Sequence, residues 1–152
     1  ILFDTAVNHF DSLGYDFLEE VKDNIILEYG DVMDFASTVE TFRKYQDELE
    51  GVIHTVSMLA VPEFNTRPVK HISRNTMGTL NILEAARIFG VKKFVNTSSG
   101  AVYGDTAGEL NEETPYKATD IYGATKISGE LFALKYGETY DFDVRSARVY
   151  FI

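Results

Sequence analysis

With 152 residues, 45% hydrophobic and 25% charged, the chain has the length and composition of one soluble globular domain able to bury a real core. Its net charge of −10, with no basic cluster to offset it, argues against a nucleic-acid or anionic-membrane surface. The absence of cysteine removes disulfides and thiolate metal sites; no apolar run approaches the ~20 residues of a membrane span, no basic n-region with a cleavage site opens the sequence, and cytoplasm is the default compartment.

In chain order, Ile1-Leu-Phe-Asp4 reads as the tail of a strand and Ile25-Ile-Leu-Glu-Tyr29 as a second strand, ending in Gly30-Asp31-Val32. Ser37-Thr-Val-Glu40 has the capping-box pattern and predicts a helix running towards Leu49. Val52-Ile-His-Thr-Val56 is a third strand. From Pro68, a favoured first-turn residue, a long helix is predicted to Phe89, closed by Gly90. Val69, Ile72, Thr76, Leu80 and Leu83 fall on one stripe of it. Phe94-Val-Asn-Thr97 is a fourth strand, Tyr122 to Tyr136 a helix, and Val144 to Val149 a fifth strand. Apolar strands alternating with helices predict a parallel α/β sheet covered on both faces.

The chemistry concentrates in the second half. Phe94-Val-Asn-Thr-Ser-Ser99 brings a hydroxyl to the end of an apolar run, and Tyr122-Gly-Ala-Thr-Lys126 follows 23 residues after Ser99. Tyr-x-x-x-Lys alone is weak, since nine Tyr and eight Lys yield about half a match by chance. In order with Ser99 it is the set a redox enzyme needs to move a proton while a nicotinamide moves a hydride. A phenol with an unperturbed pKa of ~10 is a poor base at neutral pH, and a cationic Lys one turn away favours its phenolate. Ser99 would hydrogen-bond the reacting hydroxyl or carbonyl. His54 reads as a satisfied, partly buried histidine, and no spacing of His and carboxylates suggests a metal site. Asn75 sits mid-helix, where propensity would not select it, and Gly78 costs ~1 kcal/mol there, which suggests close packing.

With these residues in place, the chain resembles the extended short-chain dehydrogenase/reductase family, in particular its NAD-dependent sugar-nucleotide epimerases and dehydratases. The resemblance runs in order through Asp4, Gly30-Asp31-Val32, Val52-Ile-His54, Asn75-x-x-Gly78-Thr79-x-Asn81-x-x-Glu84-Ala-Ala86, Thr97-Ser-Ser99, Val102-Tyr-Gly104 and Tyr122-x-x-x-Lys126. It implies a Rossmann-like, doubly wound parallel sheet with NAD as cofactor. Asp4 would accept hydrogen bonds from the adenosine ribose hydroxyls and disfavour a 2′-phosphate. Asp31 and Val32 resemble the adenine-contacting pair; Asn75 and Thr97 would line the cofactor region, and Tyr122 and Lys126 would contact the cofactor as well as carry the catalysis.

Two departures stand out. The first strand and Gly-rich turn of the family, expected upstream of Asp4, are missing; in strand order 3-2-1-4-5-6 that strand lies between those ending at Asp4 and Val56, so a gap is expected at the centre of the sheet. At the other end, Arg148 is followed three residues later by Phe151 where the family often has Asn, and the substrate-binding lobe is absent. Residues 1–152 are therefore expected to be a partial NAD-binding domain, an internal piece of a protein about twice as long.

The resemblance also bears on reaction type. Dehydratases carry Asp-Glu after the Ser, whereas here Gly100 and Ala101 cannot transfer protons. Epimerisation at the sugar C4, by oxidation and re-reduction, is favoured over a reductase or dehydrogenase reaction, and over a non-catalytic NAD-binding role. The implied partners are a nucleotide sugar and a second copy of the chain, pairing through helices near 79–89 and 122–136. Leu83, Ile88, Leu131, Phe132 and Leu134 could supply that interface or equally cover the sheet.

Overall fold

The computed structural model describes residues 1–5, 16–59 and 66–150. Among these described residues, five parallel strands and three α-helices alternate. β1 is Leu2–Asp4 and β2 is Leu27–Tyr29, with a 3-10 helix at Asp16–Asn24 before β2. The helix α1 (Phe35–Tyr45) leads to β3 (Val52–His54), and α2 (Pro68–Ile88) leads to β4 (Lys93–Ser99). After a 3-10 turn at Gly100–Tyr103 and a loop, α3 (Ile121–Tyr140) and β5 (Asp143–Val149) complete the order.

The strands form two parallel ladders. β1 pairs with β2, Leu2 opposite Leu27, while β4 lies between β3 and β5 with Val52 opposite Phe94 and Ser99 opposite Val149. Among the described residues no ladder joins β1 to β3. A cavity of about 170 Å³ separates them, lined by Leu2 and Phe3 on one side, Val52 to Val56 on the other, and Phe42 and Ile82 beneath. The central gap expected from the sequence is present, and it leaves the facing edges of β1 and β3 unpaired with each other.

Element boundaries differ from expectation where local chemistry outweighs pattern. α1 begins two residues before Ser37, because Asp34 caps it: its carboxylate accepts from Ala36 N at 3.1 Å and Ser37 N at 3.4 Å. An ionised oxygen at the positive end of a helix is at least as good a cap as a hydroxyl. The Asp120 carboxylate caps α3 in the same way, accepting from Gly123 N at 2.6 Å.

The predicted stripe on α2 needs correction. Val69 is 75% exposed, and the buried face consists of His71, Asn75, Gly78, Thr79, Ile82, Leu83, Ala85 and Ala86. Small and polar residues are buried because α2 packs closely on its neighbours and because the polar atoms of Asn75 and Thr79 find partners there. Gly78 shows the close packing directly: a Cβ there would lie 2.7 Å from Val32 Cγ2. The core proper joins Leu83, Ala86 and Ile82 of α2 to Phe94, Val91, Ala133, Phe42 and Phe142. Full burial of Phe94 and Leu83 contributes about 1.5–3 kcal/mol each before entropy is counted.

The apolar set weighed for pairing of two copies divides. Leu83 is fully buried and Leu134 half-buried, whereas Ile88, Leu131 and Phe132 are exposed.

Candidate active site

Ser99 is the last residue of β4, and its hydroxyl accepts from Ala101 N at 3.2 Å, so it caps the 3-10 turn that follows. That turn lies against the first turn of α3. A Cβ on Gly123 would stand 2.7 Å from the Ala101 carbonyl oxygen, so glycine at this position permits the approach. Ser99 and Tyr122 are thus each one or two residues from the same backbone contact. Thr97 shares a face of β4 with Ser99, two residues away on a strand whose side chains alternate.

Lys126 is one turn further along α3 and buried at 8% exposure. Burial penalises its charged form and holds its ammonium below the usual lysine range. The Lys126 charge also reaches His54 at the end of β3. Burial first, and that charge second, push the imidazole down to about 4, so it is neutral at pH 7. His54 Nε2 lies 3.0 Å from Thr79 Oγ1, whose own hydrogen goes to the Asn75 carbonyl at 2.7 Å. The hydroxyl must therefore accept, which fixes the Nε2–H tautomer of His54. The satisfied histidine expected from the sequence is found, more deeply buried than the partial burial expected.

Asn75 is 4% exposed, and its side chain is fully engaged by protein. Met58 N donates to its Oδ1 at 2.7 Å, and its Nδ2 donates to Met58 O at 3.1 Å and to Thr125 Oγ1 at 3.0 Å. The amide binds the segment after β3 to α3.

The other predicted cofactor residues gather at the ends of β1 and β2. Asp4, Asp31 and Val32 line one small cleft of about 50 Å³, together with Gly30, Val56 and Arg74. The Asp31 carboxylate accepts from Met33 N at 2.9 Å and from Arg74 at 2.7 Å. Val32 turns its side chain into the core, and its carbonyl accepts from Asn81 Nδ2 at 2.7 Å.

Three features escape sequence reasoning. Arg74, from the opposite side of the gap, pairs with Asp31 across 43 positions, and no local signal announces it. Thr125 sits inside the Tyr122-x-x-x-Lys126 motif, where it reads as spacing. Glu130 continues the Tyr122, Lys126 progression by a further four residues, so helical periodicity could have found it. It is buried, and it pairs with Arg148 of β5 at 2.8 Å. Among the described residues, no group of three or more His, Asp or Glu could hold a metal ion, and no helix is long and apolar enough to cross a membrane.

Known proteins resemble this chain in sequence and in fold. Residues 4–151 match the model of the NAD dependent epimerase/dehydratase family. The UDP-glucose 4-epimerase of Lacticaseibacillus casei is 33% identical over 102 residues, covering 66% of this chain and 30% of that protein. The dTDP-glucose 4,6-dehydratase of Streptomyces antibioticus is 35% identical over 102 residues, covering 66% and 30%. Among solved structures, the Thermus thermophilus UDP-glucose 4-epimerase in complex with NAD superposes with a TM-score of 0.78 at 29% identity, over 86% of this chain and 42% of that one. The chain spans well under half the length of these relatives.

Proposed function

The chain belongs to the NAD dependent epimerase/dehydratase family, and from that premise we propose that it carries the cofactor-binding and catalytic part of an NAD-dependent nucleotide-sugar 4-epimerase. The observation that carries the reading is the meeting of two segments: the turn after Ser99 and the first turn of the helix bearing Tyr122 and Lys126, in contact at Gly123.

The residues present fit a dinucleotide at both ends. Asp4 ends β1 beside a cleft and offers carboxylate oxygens to ribose hydroxyls, and the acid favours a cofactor without a 2′-phosphate. Ser99 and Thr97 on β4 and Tyr122 and Lys126 on α3 would serve the other end. NAD, when bound, supplies the acceptor and donor of hydride at the sugar carbon. Ser99 holds the C4 hydroxyl through a hydrogen bond. Tyr122 would take the proton of the C4 hydroxyl when that carbon is oxidised to the ketone, and would return it to O4 on re-reduction. Lys126, as a cation one turn away, favours the phenolate form of Tyr122 that accepts the proton. Asn75 acts at this site by holding residue 58 and α3 together.

Gly100 supports epimerisation over elimination of water. It has no side chain to move a proton, and a Cβ there would meet the Tyr150 ring at 2.6 Å. A second copy of the chain is proposed to pack on the exposed Ile88, Leu131 and Phe132; Leu83, being fully buried, has no surface to offer it.

Proton NMR of the full-length protein with NAD against UDP-, GDP- and dTDP-sugars tests the reading. A new 4-epimer with no net cofactor consumed is expected, and Tyr122→Phe should slow it by about 10²–10⁴-fold. Net cofactor turnover on a carbonyl substrate would instead establish a reductase, and sugars unchanged across the panel would sink the epimerase.

A further inference from the structure

Thr125 is 3% exposed, and valine would fill its volume about as well. A hydroxyl buried here serves only through its hydrogen bonds, because an unpaired one would carry a desolvation cost. Its single hydrogen goes to the Tyr122 carbonyl at 2.7 Å, leaving its lone pairs to accept from Asn75 Nδ2 at 3.0 Å. The orientation of the Asn75 amide is fixed by chemistry. Residue 58 presents both a donor at 2.7 Å from Oδ1 and an acceptor at 3.1 Å from Nδ2, and a flipped amide would oppose like with like. A continuous set of directed bonds therefore runs from the backbone of Met58, through Asn75 and Thr125, to the peptide that carries Tyr122.

We propose that Thr125 is a positioning residue for the reaction, acting through Asn75 to fix the Tyr122 peptide against the segment that follows β3. The inference rests on the reading of Ser99, Tyr122 and Lys126 as the reacting set. Tyr122 lies in the first turn of α3, where backbone N–H groups lack intrahelical partners and the helix end is free to fray. The Asp120 cap restrains that turn along the helix through Gly123 N. Thr125 restrains it sideways, towards α2. Lateral placement sets the distance from the phenol to the hydroxyl it must deprotonate, and a displacement of ~1 Å at a reacting group costs up to about 10²-fold in rate.

The test uses the full-length protein with NAD and the sugar nucleotide found by the NMR panel. Thr125→Val is expected to lower kcat by about 10- to 100-fold while KM moves less than about threefold. Thr125→Ser, which keeps the hydroxyl, is expected to recover kcat to within about threefold of wild type. Amide hydrogen exchange at Met58 should accelerate by about tenfold or more in the Val variant and not in the Ser variant. Wild-type kcat in Thr125→Val, or equal losses in the Val and Ser variants, would overturn the proposal. Should wild type turn over no nucleotide sugar, the functional reading has failed, and exchange at Met58 alone judges Thr125: unchanged exchange refutes the coupling and faster exchange supports it. If the Val variant does not fold, Thr125→Cys carries the same comparison, since it keeps similar volume with a much weaker donor.

Discussion

Replacing Glu130 with Gln keeps the shape of the side chain and removes its charge, which isolates what that charge does. Glu130 is 2% exposed on α3, and its Oε1 accepts from Arg148 Nε at 2.9 Å and from Tyr116 OH at 2.9 Å. Burial alone would push its carboxyl up. The hydrogen bonds from Arg148 and Tyr116, with the Arg148 charge and the Ser98 hydroxyl buried nearby, overcome that and hold it below the usual carboxylate range. In Glu130→Gln the Arg148 guanidinium, 14% exposed, stays buried without its counter-charge. Breaking a buried pair from one side costs about 3–5 kcal/mol. Arg148 keeps Tyr103 OH at 2.6 Å, the Glu112 carbonyl at 3.0 Å and the faces of Tyr103 and Tyr116, so the lower end applies. A loss of about 3 kcal/mol in urea unfolding is expected, with a Tm lower by about 6–12 °C for a chain of this size. Because the folded carboxyl titrates below its unfolded value, the stabilisation is present above the unfolded pKa and is lost as pH falls through the folded one. Removing both charges, as in Glu130→Gln with Arg148→Met, should destabilise less than Glu130→Gln alone. A single variant within about 1 kcal/mol of wild type at pH 7 would refute the reasoning.

Two further predictions concern stability and local fit. His54 titrates at about 4 in the folded protein against 6.5 unfolded, so the unfolded state binds more protons between those values. Stability should fall with slope up to about 1.4 kcal/mol per pH unit as pH drops below ~6.5, by about 3 kcal/mol at pH 4. The difference between wild type and His54→Gln in denaturant unfolding from pH 7 to pH 5 isolates this, and parallel profiles would contradict it. Gly123→Ala should destabilise despite a helix-propensity gain of up to ~1 kcal/mol, because the new methyl meets a backbone oxygen 2.7 Å away. A net cost of about 1–2 kcal/mol by thermal unfolding is expected; a raised Tm would show that the turn after Ser99 does not press on α3.

The elements and their parallel order were legible because their signals are local. Apolar runs alternate with helical spacings, Pro68 and Gly90 bracket α2, and Tyr122 and Lys126 are one turn apart in any helix. The gap between β1 and β3 was legible too, through the order of strands that the resemblance implies. The buried face of α2 was not. Periodicity ranks positions by their own hydrophobicity, so it places Val69 inside and passes over His71 and Thr79.

Sequence by itself determined the strand–helix order, the residue types of the proposed reacting set and the helical spacing of Tyr122 and Lys126. Tertiary structure decided that the Ser99 turn meets Tyr122 at a glycine, and that His54, Thr79, Asn75 and Thr125 are buried as a connected set. The reason is physical. These polar side chains are buried where partners satisfy them, and the bonds that join separate elements span 17 to 50 positions, beyond the reach of any local pattern.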